Sequence, residues 1–520
     1  MMTRLAQGLH HHDWPVTFDL APDDIAIIVL GESDDNLVAY AQHDILHYVR
    51  QRNPAALVVL RIGEAIPHER RVHQAAAGAD VVVFDSQALH DHYTAQGLQH
   101  ADLRIIPLPP DDGDITAWVA AYHSLFQALV SARETVIARR EWPALLSVAG
   151  DEPGRWLRDL RDPLLDYLSS LRRDTTIGNY RMTVPRPDAF GASIALPFST
   201  WALKVRYMLN DDPSPPNLAV WVQYIQSFQV LGNPGRFHRG ENAFIDPRLL
   251  EGILRQMPRA ERLRARVVPQ PGLTRLSQIL SAETKQAIAT LAQYERRSLQ
   301  PYKGFPGTPR QMGRYLNALD WSRPWMAGAH VATLAVFLQL EAPRFLDAAA
   351  IAALRQHLIT FIEQLVDSAS GAYFQHEQPP YGETVNGAMK ILTALDWLDV
   401  PVHYPERLID MVLADKPAAE GCHLVDAVYV LYRCTQHTSY RKDDIVAYAR
   451  DLVEMMVAHF NPLDGGFSYY STPHERKVHN IRVAFAHGAS DLHGTVLLTW
   501  AAAMLLHMLD VSHDWRIIKP

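Results

Sequence analysis

Two patterns of apolar spacing divide the chain. Over the first 150 residues, short runs of β-branched and leucyl side chains recur: IAIIVLG (25–31), LVVLRIG (57–63), DVVVFDS (80–86), LRIIPLP (103–109) and ALLSVAG (144–150). Runs without polar alternation are what strands covered on both faces require. Between them, NLVAYAQHDILHYVRQ and SQALHDHYTAQG carry the three-and-four spacing of amphipathic helices. Strand–helix alternation of this kind predicts a parallel, Rossmann-like α/β domain over residues 1–150. The turn after the first run, GESDDN, lacks the G-x-G-x-x-G that brings backbone against a pyrophosphate. Gly31 and Ser33 still leave a helix start that could face an anion.

The grammar changes at about residue 152. RWLRDLRDPLLDYLSSLRRD reads as an amphipathic helix followed by a Gly- and Pro-bearing stretch, a connector over 151–194. From 195 to 520 the chain reads as helix and loop, and strand signals all but vanish. A weak internal repeat runs through this part. FIEQLVDSASGAYF (361–374) is matched by MMVAHFNPLDGGFSYY (455–470), and VNGAMKILTALDWL (385–398) by LHGTVLLTWAAAML (492–505). Each unit is an amphipathic helix, a turn built on Asp and Gly, a loop, and a helix apolar on every side. Such pairs close most simply into an α/α toroid, or α/α barrel, with the all-apolar helices inside. A toroid of this kind has a funnel at one end.

Polar residues share one rank in that scheme. His330, Asn386, Asp426 and His493 fall in the first turn of successive inner helices, with Asp491 just ahead of His493 and Glu383 just ahead of Asn386. Asn and Asp are expected there as helix caps in any case, whereas His is a poor cap. His493, Asp491, Glu383 and Asp426 are therefore the candidate catalytic set, carboxylates and imidazoles being the usual acid–base groups. His330, Asn386, Trp325, Tyr373, Tyr381, Phe467 and Tyr469 are candidate substrate contacts at the rim; aromatic side chains at such turns also serve as core plugs.

Composition narrows the class without choosing a reaction. A length of 520 residues suggests two to four domains. The net charge of −8 advertises no basic face for nucleic acid. No apolar run reaches the length of a transmembrane helix and the start shows no secretory pattern, so a cytoplasmic location is expected. Cys422 and Cys434, twelve apart on one predicted helix, are too distant to form a disulfide. Oligomeric state is not encoded in any readable pattern.

GGFSYYSTP (465–473) followed by SDLHGTVLLTWAAAML (490–505) resembles the last repeat of the α/α-toroid superfamily of terpenoid cyclases and protein prenyltransferases. The resemblance covers about 100 residues and implies cyclase- or transferase-like chemistry in the funnel. It also implies a zinc ion on Cys422, His493 and Glu420, with Cys422 standing 71 positions before His493. Here glutamate replaces the family's aspartate, the Asp-to-His spacing is one residue shorter, and the acid motif of class II terpenoid cyclases is missing. Residues 79–111 resemble the last strand–helix–strand of the N-terminal half of two-domain glycosyltransferases. Together with the rim aromatics, that favours an alternative: a carbohydrate-active barrel enzyme, a hydrolase, lyase or epimerase, working with a carboxylate pair. A non-catalytic scaffold that binds a small molecule or glycan is the third reading.

Overall fold

In the computed structural model, the described residues comprise separate segments between 27 and 125, then 152–184, 190–231, 242–260, 274–472 and 474–520. Helix dominates them. In the first part, β1 (Ile27–Leu30), β2 (Leu57–Ile62), β3 (Val81–Phe84) and β4 (Leu103–Ile105) form one sheet, and α1 (Gln87–Ala95) follows β3. All three pairings are parallel and the order is β1-β2-β3-β4. Val81, Val82, Val83 and Phe84 are fully buried, as their unbroken apolar run predicts. Phe84 stacks on Tyr93 of α1 with centroids 6.2 Å apart. Among the described strands the order does not reverse. The 144–150 run and the 31–33 turn lie outside the described residues.

The rest is built from α2 (Pro153–Asp159), α3 (Arg161–Ser170), α4 (Leu196–Met208), α5 (Pro215–Gln226), α6 (Pro247–Gln256), α7 (Arg275–Gln293), α8 (Pro309–Asn317), α9 (Pro324–Leu340), α10 (Ala348–Leu365), α11 (Tyr381–Trp397), α12 (Pro405–Leu413), α13 (Gly421–Thr435), α14 (Lys442–Val457) and α15 (Leu492–Met508). Contacts run from α4 to α7, α9, α11, α13 and α15, and from α15 back to α4, closing a ring of six. Shorter or amphipathic helices stand outside it: α10 against α9, α12 and α14 against α13, and α14 against α15. α9 and α15 need no polar side because both faces are covered, and both are apolar all round. The α9–α11 seam is tight because Gly328 and Gly387 bring the backbones together: a Cβ on Gly387 would sit 2.7 Å from Pro324. α2 packs on α14 and α15, and Trp156 meets Phe460 and Phe467 edge-on, so this stretch belongs to the same core.

The repeat is visible in hydrogen bonds. After α10, Asp367 N–H donates to Ala372 O, Gly371 to Asp367 O and Phe374 to Leu365 O; after α14, Asn461 donates to Gly466 O, Gly465 to Asn461 O and Ser468 to His459 O. Both turns carry a glycine at positive φ, Gly371 (73°) and Gly465 (79°), which a β-carbon would strain.

One element departs from expectation. β5 (His474–Val478) and β6 (Ile481–His487) form an antiparallel hairpin in a region expected to lack strands. His479 and Asn480, both at positive φ (49° and 66°), make the two-residue turn whose twist suits a hairpin. The alternation of HERKV and IRVAFAH was too short to stand out against long helical periods.

Candidate functional site

The inner helices begin at one end of the ring. Glu383 in the first turn of α11 accepts from Trp325 N–H in the first turn of α9 at 2.9 Å. Gly421 N–H, opening α13, donates to Tyr469 O, and Tyr469 N–H donates to the Asp491 carboxylate ahead of α15. Trp201 of α4 stacks on His493 of α15. Four polar residues expected at equal depth are not level: His493 is the second residue of its helix, Asn386 and Asp426 the sixth, His330 the seventh. α11 and α13 begin earlier than the apolar pattern indicates, at Tyr381 and Gly421, so neither Asn386 nor Asp426 is a cap.

Asp491 is a cap, and more. It precedes α15 and accepts from Gly494 N–H at 2.7 Å, while its other oxygen takes Tyr469 N–H at 2.9 Å and lies 2.6 Å from Arg476 Nε. Both charged groups are sealed, Asp491 at 0 % and Arg476 at 2 % exposure. The guanidinium also donates to His474 O and Ser468 Oγ. Gly494 makes this possible, since a Cβ there would fall 2.3 Å from Tyr469 N. This network ties the hairpin and the 467–470 loop to the start of α15.

His493 lies between two aromatic faces, Trp201 at 4.7 Å and 12° and Tyr469 at 4.8 Å and 14°. Burial pushes its imidazole down to about 4, against the opposing pull of Asp491. The ring is therefore neutral at pH 7. It borders a cavity of about 430 Å³ under the hairpin, lined also by Tyr469, Tyr470, His474, Arg476 and His479, a volume that admits a small ligand.

Asp426 is the chemically odd group. It is 1 % exposed, its Oδ2 has no hydrogen-bond partner, and Lys390 Nζ lies 3.8 Å from Oδ1, beyond a hydrogen bond. Burial raises its titration to about 6, with Lys390 pulling the other way. One residue pair over, Asn386 Nδ2 donates to His423 Nδ1 at 3.0 Å, which as placed leaves the ring proton on Nε2; Trp325 leans over the same ring at 5.4 Å. His423, Trp201 and Lys390 were not among the sequence candidates. His423 stands third in α13 and would have emerged from the same ranking.

Four rim candidates turn elsewhere. His330 bonds Tyr315 of α8 through Nδ1 at 2.7 Å. Tyr381 donates to Val412 O and Asp415 O and meets Tyr448 of α14, lining a separate cavity of about 380 Å³ with Arg407 and Asp410. Tyr373, buried, bonds His403, and Phe467 packs in the core against Phe460. The last two are core plugs, since the turns carrying them face the outer helices.

The ligands that the resemblance implies for zinc, Glu420, Cys422 and His493, stand at the starts of α13 and α15. Among the described residues no three His, Cys, Asp or Glu side chains come together as a metal site. Burial pushes the Cys422 thiol up to about 11, helped by the Asp426 charge, so it is protonated at neutral pH. Tyr469 hydrogen-bonds Cys422 with its own ring stacked on His493. Both cysteines are free, and among the described residues no helix is long and apolar enough to cross a membrane.

Comparison with protein-family models, curated proteins and solved structures finds no match to this chain.

Proposed function

We propose that the protein is an enzyme on an α/α toroid, acting where the inner helices begin on a polar, sugar-sized substrate by general acid–base chemistry. The six-helix ring with its outer layer supports the toroid reading, and the parallel sheet supports an accessory Rossmann-like α/β unit ahead of it. Two free thiols accord with a reducing, cytoplasmic setting.

The observation that carries the reading is Asp426. A sealed carboxyl with one unpartnered oxygen and a titration near 6 is protonated in part at neutrality, as a general acid must be. His423, with Nδ1 accepting from Asn386 and its proton on Nε2, serves as a hydrogen-bond donor that orients the substrate beside Asp426. His493, neutral and bordering the cavity, binds rather than ionises.

Carbohydrate chemistry fits this lining better than carbocation chemistry. Lys204, Lys285 and Lys390 stand on inner helices, and ammonium groups raise the energy of a cationic intermediate instead of lowering it. Asp491, by contrast, is occupied by its cap and ion pair, and Glu383 by Trp325 N–H, which makes both positioning groups.

The test is to incubate the purified chain with a pool of phosphorylated, carboxylated and neutral sugars and follow the mixture by mass spectrometry. The natural protein consumes at least one component. Asp426→Asn lowers that turnover by about 10²-fold or more, the scale of a lost acid–base group. Equal turnover by both proteins would refute Asp426 as the acid.

A further inference from the structure

The charges inside the ring do not balance. Lys204 is the ninth residue of α4, Lys285 the eleventh of α7 and Lys390 the tenth of α11, so three lysines stand within the bodies of three inner helices. Lys204 is 4 % exposed and its Nζ contacts only the neutral Gln286 amide oxygen, at 2.6 Å. Lys285 stands next to that glutamine and feels the positive charge of both Lys204 and Lys390. Among the described residues no carboxylate lies within ion-pair distance of Lys204 or Lys285, and Asp426, 3.8 Å from Lys390, is the one acid that answers the three. Burial pushes Lys204 down to about 8 and Lys285 well below the usual lysine range.

Uncompensated buried cations are expensive, and a protein gains nothing structurally by gathering them. An anion supplied from outside removes the cost. Lysine suits this role as a flexible point charge for phosphate or carboxylate. Lys285 and Lys390 both keep accessible surface, so the cluster can be reached.

We propose that Lys204, Lys285 and Lys390 form an anion subsite inside the ring, which holds the phosphate or carboxylate group of the substrate beside Asp426. This rests on the acid–base reading of Asp426 and narrows its substrate to an acidic sugar, a sugar phosphate or a uronate. The shared chemistry is a compact oxyanion. Binding it places the substrate's neutral part toward the helix starts, where His423 and Trp325 stand.

The test uses the full chain and three probes: inorganic phosphate, glucuronate and glucose. Phosphate or glucuronate, but not glucose, raises the melting temperature of the natural protein. Titration calorimetry shows the dissociation constant rising at least tenfold in Lys204→Met and Lys285→Met and unchanged in Lys442→Gln, on the outer helix α14. A response to phosphate alone identifies a phosphoryl group, and a response to glucuronate alone a carboxylate. Without ligand, Lys285→Met melts at or above the natural protein, because the change removes a repelled cation. A lower melting point would make Lys285 a packing residue and overturn the proposal, as would failure of both anions to bind or equal binding by all variants. Asp426→Asn binds the anion at least as tightly as the natural protein, so lost turnover with intact binding separates failure of the subsite from failure of the acid.

Discussion

Replacing Arg476 with alanine lowers the unfolding free energy by about 3–5 kcal/mol, the usual cost of stranding one partner of a buried ion pair. Asp491 keeps only Gly494 N–H and Tyr469 N–H as partners once the guanidinium 2.6 Å away is gone, and it has no water to turn to at 0 % exposure. The hairpin also loses the bonds that Arg476 makes to His474 O and Ser468 Oγ. Chemical denaturation followed by circular dichroism reads the loss. Arg476→Ala combined with Asp491→Ala should cost less than the sum of the single changes, because the second removes a charge the first has already orphaned. A single-variant loss below about 1 kcal/mol, the range of exposed pairs, would mean that water reaches the pair.

Asp426 and His493 give the protein opposing dependences on pH, and each variant exposes the other. Asp426 titrates near 6 folded against 3.8 unfolded, so the folded chain binds the extra proton; its stabilising effect is complete below 3.8 and is lost as pH rises through 6. His493 titrates near 4 folded against 6.5 unfolded, so the unfolded chain binds the extra proton, and stability is lost as pH falls from 6.5 towards 4. At 1.36 kcal/mol per unit, each shift is worth about 3 kcal/mol. In the natural protein the two slopes nearly cancel between pH 4 and 6.5. Asp426→Asn leaves the His493 slope alone, so its stability climbs with pH and exceeds that of the natural protein at pH 7, less whatever Lys390 loses with its partner. His493→Phe shows the reverse slope. Unfolding free energies at pH 4, 5, 6 and 7 decide the matter; parallel profiles for all three proteins would mean that neither group is buried as described. A variant that is more stable and less active is the usual signature of a functional group held at a cost.

The ring was legible because its rule is local. Two helices apolar on every side, 324–340 and 492–508, can exist only with neighbours all round, and the Asp–Gly turns that precede α11 and α15 repeat bond for bond. His330, Asn386, Asp426 and His493 could be assigned to inner helices on that rule alone. Depth was not legible. Tyr381 and Gly421 open their helices before the apolar period becomes visible, which sinks Asn386 and Asp426 by a turn. Nor does sequence say which way a ring residue points: His330 and Tyr381 sit on inner helices yet bond to outer ones. The lysines were passed over for the opposite reason. Within WALKVRY and GAMKIL a single Lys reads as a solvated edge, and only closure of the ring makes it an interior charge.

Chemistry is proposed to take place where the six inner helices begin. Crystals of Asp426→Asn grown with the component that the natural protein consumes test this most directly, since the variant binds without turning over. The prediction is substrate density inside the ring, with its anionic group against Lys204, Lys285 or Lys390 and its neutral part towards His423 and Trp325. Density in the outer cavity beside Tyr381, Arg407 and Asp410, with the ring interior holding none, would contradict it.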